Sequence, residues 1–434
     1  MPPDRHTPII RILTMTNVDR KLHQQAIPGS SRPAPHIPPR RSKAHRIAGD
    51  AEAIAIAKEL AAEFAHESVV RDHQRRLPIA EIERFSQSGL WGITVPKAYG
   101  GAGVSNVTLA EVVAIIAAAD ASIGQIPQNH YYMVEALRLG GNEDQKRHYF
   151  ERVLDGDRIG NAFTEVGTRN PVDFQTRLVR DGDRLVLNGQ KFYSTGALFA
   201  HLIAVVAAHD PDRSHIVFLE RATQGLTLID DWSGFGQRTT GSGSTLLDDV
   251  AVAPFQVVPH QDVFDRPTAM GPVAQLIHAA VDVGIARAAL ADTLVFTRKF
   301  ARPWFETKYE KGTEDPHLVH AVGDLGIRVE AANALLERAG HFVDLVVDEP
   351  TEDGVAEASI AVAEVKALAT DVSLFVASKL FELTGSRSTL EEFGLDRHWR
   401  NARTHTLHDP VRWKYHRIGD FVLNGVKPPR HGAL

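Results

Sequence analysis

The feature that most constrains the fold is the order in which the hydrophobic pattern changes along the chain. In residues 47–157, apolar residues recur at three- and four-residue intervals, which is typical of amphipathic helices. Residues 158–262 instead contain short alternating runs bounded by Gly, Pro and Asp, which is typical of strands. Long helical patterns return in residues 263–434. The order predicts a mainly α, α+β protein with an N-terminal helical domain, a middle β domain and a C-terminal helical bundle.

Local signals support this division. Alternating runs flank Asp181-Gly182-Asp183, which predicts a β-hairpin. Asp50 precedes the first helical pattern and is a predicted N-cap. Three later helical segments of about 27 to 31 residues, joined by short polar links, predict an antiparallel packed bundle and a subunit interface.

The first 46 residues differ from the rest of the chain in charge and composition. They contain nine Lys and Arg against two Asp, a charge of +7, so the remainder carries −13 of the overall −6. This segment is rich in Pro, Ser and Arg and lacks apolar periodicity, which predicts a disordered tail. Its short apolar run is interrupted by Arg11 and does not fit a signal peptide. A start assigned too far upstream, with Met15 as one substitute, stays an alternative.

Composition excludes several classes of function. The 434 residues are 43% hydrophobic and 24% charged, as in ordinary globular proteins, and offer enough interior to enclose a cofactor. No apolar run approaches the roughly 20 residues that span a bilayer, so no membrane partner is expected. The acidic body argues against nucleic acid as a partner. The absence of cysteine excludes disulfides and thiolate metal sites and fits a cytoplasmic location.

One short segment concentrates polar chemistry near the end of the chain. In "RNARTHTLHDPV", residues 400–411, His405 and His408 stand three apart and Asp409 follows at once, before Pro410. A structural reading makes Asp409 the N-cap of a helix with Pro410 at its first position, and His405 a core residue. No metal site is predicted, because "HTLH" lacks the H-E-x-x-H pattern and a third ligand.

Five segments in order are similar to the successive signatures of the acyl-CoA dehydrogenase superfamily. The resemblance covers residues 47–425 and implies that family's fold, with a barrel-like β domain, a C-terminal four-helix bundle, and flavin between them. The segments are "GLWGITVPKAYGGAG" (89–103), "EDQKRHYFERVLDGDRIGNAFTEVG" (143–167), "LNGQKFYSTGA" (187–197), "GQRTTGSGSTLLDDVAV" (236–252) and "RNARTHTLHDPV".

The last segment departs from the common family pattern. Typical acyl-CoA dehydrogenases have a segment resembling R-D-A-K-I-x-x-I-Y-E-G-T, whose glutamate removes the α-proton. Here His408 stands at the tyrosine, Asp409 at the glutamate and Pro410 at the glycine. With "QNH" at 128–130 and "FARPW" at 300–304, the segment resembles the flavin-dependent monooxygenase branch, which includes dibenzothiophene monooxygenases and sulfur-acquisition oxidoreductases for alkyl sulfones.

This resemblance implies a two-component enzyme. Reduced FMN would come by diffusion from a separate NAD(P)H:flavin reductase and would react with O2 to a flavin C4a-hydroperoxide. That species would oxidise a small sulfone or sulfoxide in sulfur metabolism. A histidine donates or retains a proton near neutral pH, so we expect His408 to manage the proton, oriented by Asp409 or His405.

The resemblance also implies contact residues. The flavin ring would be lined by Asn161, Phe163, Thr164, Tyr193, Ser194 and Thr195. Its phosphate would be bound by Arg298, Arg302 or Arg387, with a hydroxyl from Ser242. His130, Tyr131 and Trp232 would line the substrate pocket. Solvated strand ends, surface arginines and an ordinary packing tryptophan are the structural alternatives for these positions.

Two other functions stay open from the sequence. In one, Asp409 is a true base in an FAD-containing acyl-CoA dehydrogenase or nitroalkane-oxidase-like enzyme. In the other, the chain is a non-catalytic flavin-binding or assembly protein. The expected assembly is a homotetramer or homodimer.

Overall fold

The computed structural model describes residues 32–35, 37, 43–170, 173–210 and 213–434. Most of the basic N-terminal segment, with Met15, lies outside these residues. The first described helices are α1 (Asp50–Ala65), α2 (Ser68–Gln74), α3 (Ile79–Gln87), α4 (Asn106–Ala119), α5 (Ala121–Gln125), α6 (Gln128–Gly140) and α7 (Glu143–Leu154).

The described strands form one sheet. All of them except the first short strand follow these helices in the sequence. They are β1 (Arg32–Pro33), β2 (Ile159–Ala162), β3 (Arg177–Asp181), β4 (Arg184–Lys191), β5 (Leu202–Asp210), β6 (Arg213–Glu220), β7 (Leu226–Asp230), β8 (Ser244–Val252) and β9 (Val257–Pro259). Their order is β1-β7-β8-β4-β3-β5-β6-β9, and β2 pairs with β5 in parallel. The predicted hairpin is confirmed, since β3 and β4 are antiparallel and Asp181 faces Arg184 across the turn.

The remaining described helices contain the three longest. They are α8 (Gln261–Phe264), α9 (Met270–Phe300), α10 (Pro316–Val347), α11 (Glu352–Thr384), α12 (Asp396–His405) and α13 (Arg412–Asn424). The helices α9, α10 and α11 have 31, 32 and 33 residues, so the predicted long bundle helices and the fold class are confirmed. No helix in the described ranges has the length and apolarity needed to cross a membrane.

The largest core joins the N-terminal helices to the bundle. Buried side chains of α4, α9, α10 and α11 belong to one hydrophobic cluster. The contact between α9 and α4 is so close that a Cβ atom at Gly284 would come within 2.5 Å of the Ala114 carbonyl oxygen. This position therefore requires a residue without a side chain.

One expectation about the N-terminal part is wrong, and a second falls mostly outside the described residues. The helix α1 begins at Asp50 and its N-cap is Gly49, because the Asp50 carboxylate accepts hydrogen bonds from the backbone and hydroxyl of Ser105 instead. The disordered tail predicted for residues 1–46 stays a prediction for most of its length, but several of its described residues contact the rest of the protein. In the antiparallel pairing of β1 with β7, Arg32 stands opposite Asp230. The backbone N–H of His45 donates to the Gln87 carbonyl at 2.9 Å.

The close approach at Gly284 predicts a stability difference between two glycines. We expect Gly284→Ala to lower the free energy of unfolding by about 1–3 kcal/mol, because the added methyl group overpacks the contact with α4. The matched control is Gly323→Ala in α10, where a Cβ atom meets nothing within 4 Å. That change should leave stability equal or raise it by up to about 1 kcal/mol. Denaturant unfolding measures both, and equal destabilisation would contradict the packing argument.

Candidate active site

Asp409 lies in the turn between α12 and α13 and does not cap a helix. The helix α13 begins at Arg412 with Val411 as its N-cap, so the N-cap prediction for Asp409 is wrong. The buried Asp409 carboxylate instead accepts a hydrogen bond from His408 Nδ1 at 3.1 Å, and its Oδ2 lies 3.2 Å from Lys414 Nζ. Burial raises the pKa of Asp409, but the His408 hydrogen bond and the nearby lysine charges outweigh it and hold the pKa well below its usual range.

His408 is the accessible member of a group of three histidines. Its side chain is 47% exposed, and its Nδ1 carries a proton because a carboxylate only accepts hydrogen bonds. Its ring lies against that of His278 in α9, with 3.8 Å between the ring centroids. His405 does not bond to the His408 side chain, so Asp409 is the residue that orients His408.

His405 is buried and belongs to a second part of the same cluster. Its Nδ1 lies 2.5 Å from Asp282 Oδ1, and Lys366 Nζ lies 2.6 Å from Asp282 Oδ2. The other ring nitrogen, Nε2, lies 3.2 Å from His278 Nδ1. Burial lowers the pKa of His405 although Asp282 raises it, and burial lowers the pKa of His278 far below its ordinary value.

Sequence reasoning missed His278, Asp282 and Lys366. The available signal was the spacing of His278 and Asp282, which stand four residues apart on one face of an otherwise apolar helix. Lys366 had a similar signal, since it is a charged residue inside the apolar pattern of α11.

The predicted flavin-ring residues form a second site in the β domain. Asn161 of β2 donates its backbone N–H to the Thr195 carbonyl at 3.1 Å. The hydroxyls of Thr195 and Ser242 are 2.7 Å apart, and Ser194 N–H donates to the Gly243 carbonyl. Asn161 Oδ1 is buried and has no hydrogen-bond partner among the described residues. The structure thus brings together small polar side chains around one buried, unused acceptor.

Two of the predicted residues join the segments that carry this site. Thr164 accepts a hydrogen bond from Phe192 N–H at 2.9 Å, next to a buried ion pair between Glu165 and Lys191 at 2.6 Å. Phe163 packs into the neighbouring aromatic core. These contacts hold the segment after β2 against the segment after β4.

Trp232 lies beside Tyr193 and on a loop attached to the bundle. The Trp232 and Tyr193 ring centroids are 6.0 Å apart, and Tyr193 is half exposed with a positive φ of 56°. Trp232 Nε1 donates to the Gln237 carbonyl at 2.8 Å, and Gln237 N–H donates to Asn401 Oδ1 of α12 at 2.7 Å. This loop therefore connects the β domain with the helix that ends at His405.

The three predicted phosphate-binding arginines lie near the end of α9. Arg298 occupies its last turn, Arg302 follows it, and the Arg387 guanidinium stacks over the Phe300 ring at 4.0 Å. All three are exposed. They offer an accessible patch of positive charge.

His130 and Tyr131 are not brought to Trp232. His130 is fully buried, with Nε2 at 2.9 Å from the Trp91 carbonyl oxygen and Nδ1 accepting from Ile159 N–H at 3.0 Å. Tyr131 is also buried and donates its hydroxyl to the Leu90 carbonyl. The polar atoms of these side chains are thus committed to backbone partners, and their place in a substrate pocket stays a prediction.

Comparison with known proteins identifies the family. Residues 51–157 match the acyl-CoA dehydrogenase N-terminal domain, and residues 276–413 match the acyl-CoA dehydrogenase C-terminal domain. The chain belongs to the acyl-CoA dehydrogenase family.

Within this family, the chain is similar to several monooxygenases over most of its length. The chain is 36% identical to dibenzothiophene monooxygenase of Rhodococcus erythropolis over 88% of this chain and 96% of that protein. It is 32% identical to the probable FMNH2-dependent monooxygenase SfnC of Pseudomonas putida, over 87% and 96% of the two chains. The crystal structure of FMN-bound TdsC from Paenibacillus sp. A11-2 matches with a TM-score of 0.83 and 29% identity, covering 88% and 100%.

The predicted resemblance to the monooxygenase branch of the family is therefore confirmed. The chain is an oxidoreductase of the flavin-dependent monooxygenase class. The alternative of a non-catalytic flavin-binding protein finds no support in these relatives, which are named as enzymes.

The buried His130 predicts a pH dependence of stability. Burial lowers the pKa of His130 to about 3 from an ordinary value of 6.5. Between these values the unfolded chain binds a proton that the folded chain rejects, so stability falls as the pH falls below 6.5. We expect His130→Gln, which keeps an N–H donor for Trp91, to reduce this slope by up to about 1.4 kcal/mol per pH unit. Denaturant unfolding at neutral and mildly acidic pH measures the slope, and an unchanged slope would contradict the assignment.

Proposed function

We propose that this enzyme uses reduced FMN and O2 to oxidise a small organosulfur compound, a sulfone or sulfoxide, in sulfur acquisition. One observation carries the proposal: an accessible histidine, His408, is held by an ionised Asp409 at the end of the bundle. Its similarity to dibenzothiophene monooxygenase supports the sulfur substrate, and its similarity to SfnC supports the use of reduced FMN.

The residues of the β domain fit a flavin. Asn161 Oδ1 is a buried acceptor that lacks a donor, which suits an N–H group of a planar heterocycle. Thr195 and Ser242 offer hydroxyls beside it. Arg298, Arg302 and Arg387 are the candidates for the phosphate, since arginine binds phosphate with two parallel N–H groups. Bound reduced FMN would supply two electrons that, with two protons, reduce O2 so that one oxygen atom enters the substrate, at the sulfur of a sulfoxide or at a carbon beside the sulfur of a sulfone, and the other becomes water.

His408 is proposed to hold a proton on Nε2 and to donate it during the reaction. Its Nδ1–H is committed to Asp409, so Nε2 is the ring atom left for proton exchange. The half-exposed ring is accessible to a ligand, whereas His405 and His278 are buried. Asp409 acts by fixing the ring and balancing its positive charge.

The contacts of Asp409 disfavour the dehydrogenase or nitroalkane-oxidase alternative, with FAD as cofactor. A general base needs a pKa near the working pH, because a strongly stabilised carboxylate has little affinity for a proton. Asp409 is paired with Lys414 and His408, and its pKa is held well below the usual range. It is therefore better suited to orient a histidine than to abstract a proton from carbon.

The proposed partners follow from this chemistry. A separate NAD(P)H:flavin reductase would deliver reduced FMN by diffusion, and the cytoplasm would be the compartment. A homotetramer or homodimer would form through the long helices of the bundle.

Replacing His408 tests the proton role. With a flavin reductase, FMN, NADH and a sulfone or sulfoxide, we expect His408→Phe to reduce oxygenated product by on the order of 100-fold. Hydrogen peroxide should rise in its place, while binding of FMN persists. His416→Phe, at an exposed histidine of α13, is the matched control and should leave the product yield unchanged. Equal product from His408→Phe and the original enzyme would reject the assignment.

The variant Asp409→Asn distinguishes a carboxylate that orients His408 from one that acts as a general base. The amide oxygen still accepts the hydrogen bond from His408, so we expect oxygenated product to fall by only about tenfold or less. If Asp409 were the general base, the variant would instead lose nearly all turnover. Product yield and peroxide yield, measured together over neutral and mildly alkaline pH, distinguish the two results.

A further inference from the structure

The His408–Asp409 pair is one end of a larger buried cluster that the proposed reaction does not yet use. The cluster joins residues of α9, α11, α12 and α13 through direct contacts. Its members are Lys366, Asp282, His405, His278, His408, Asp409 and Lys414.

The cations and anions of this cluster balance in pairs. Lys366 lies 2.6 Å from Asp282, and both side chains are at most 1% exposed. Lys414 lies 3.2 Å from Asp409, again with both side chains buried. Each lysine therefore compensates one aspartate, and the cluster has no net formal charge when all three histidines are neutral.

The hydrogen bonds fix where the two buried histidines carry their protons. The Asp282 carboxylate only accepts, so His405 carries a proton on Nδ1. In a neutral His405, Nε2 is an acceptor and receives the Nδ1–H of His278. His278 then has no proton on Nε2. A second proton on either ring would bring an uncompensated charge into the interior, which is costly.

His408 is the ring best placed to accept a proton. It contacts Asp409 and packs against His278. Lys414 and His431 lie near Asp409, and the charge of Lys366 also acts on Asp409, while His405 lies on the far side of His278. Two histidine rings with centroids 3.8 Å apart do not both become charged, because like charges repel at this distance. The exposed ring, with Asp409 as its counter-ion, is the favoured position for the one proton.

We propose that Lys366 is a positioning residue for this proton. By compensating Asp282, it keeps His405 and His278 uncharged, so His408 alone of the three rings carries the proton that the reaction uses. This inference rests on the proposed function for its catalytic meaning, but its charge distribution is measurable without turnover.

Nitrogen-15 NMR of the histidine rings tests the charge distribution directly. At neutral pH we expect His405 to carry one proton, on Nδ1, and His278 to be the Nδ1–H tautomer. The variants His405→Gln and His278→Phe assign the two sets of signals. In Lys366→Met the charge of Asp282 is no longer compensated, so we expect His405 to gain a second N–H. In the double variant Lys366→Met with Asp282→Asn, the His405 ring should again carry a single N–H.

A matched lysine controls for nonspecific effects. Lys379 stands on the same helix as Lys366, but its ion pair with Glu382 is exposed, so Lys379→Met should change neither His405 nor activity. Lys366→Met should reduce oxygenated product per reduced FMN consumed by about tenfold at neutral pH, with a changed pH profile.

The outcomes separate this inference from the proposed function. Two N–H signals on His405 of the unaltered enzyme, or a single one in Lys366→Met, would overturn the inference. The spectrum of the unaltered enzyme decides the first point even if Lys366→Met fails to fold. Absence of any oxygenated sulfur product from the unaltered enzyme would count against the proposed function, while the ring protonation would still decide the role of Lys366.

Discussion

The polar cluster around His405 and the proposed catalytic His408 depends on the buried ion pair between Lys366 of α11 and Asp282 of α9. Two charges in a protein interior are stable only when they are paired and hydrogen-bonded, and removing one partner typically costs about 3–5 kcal/mol. Here the second Asp282 oxygen also binds His405. The pair thus joins two long helices to α12. Because Asp282 holds a proton on His405 Nδ1, His405 Nε2 is left to accept the hydrogen bond of His278, whose ring packs against His408.

The β domain holds the proposed flavin-contact residues through backbone geometry. Thr164 and Thr195 lie on segments that follow β2 and β4, and the Glu165–Lys191 pair ties these segments together. The loop that carries Trp232 is fixed to α12 by the bond from Gln237 to Asn401. One loop therefore contacts both the β domain and the helix that ends at His405.

The sequence predicted the parts of the structure that local patterns encode. Asp181-Gly182-Asp183 specified a hairpin, and the long apolar periods specified α9, α10 and α11. It also identified the His408–Asp409 pair, because these residues are neighbours in a recognisable motif. The roles of the remaining polar residues depend on contacts between distant segments. Asp409 has the local pattern of an N-cap, yet Lys414 and His408 bind its carboxylate.

The same limit explains which contacts the sequence did not reveal. Lys366 and Asp282 are 84 residues apart and meet only because α9 and α11 pack side by side. His130 is part of "QNH", a motif that resembles the monooxygenase branch. The hydrogen bonds that commit it to the core involve Trp91 and Ile159, which lie on other segments. Pairing of this kind follows from helix packing, which a single sequence does not specify residue by residue.

The most direct test of the central claim is the origin of the oxygen atom in the product. The enzyme would be supplied with reduced FMN and a sulfoxide or sulfone under 18O2 in ordinary water, and the product analysed by mass spectrometry. Oxygen transfer predicts one 18O atom in each oxidised product molecule, formed only when reduced FMN is present. A product without the label, or substrate oxidation that proceeds anaerobically with oxidised flavin as the electron acceptor, would contradict the account and favour a dehydrogenase.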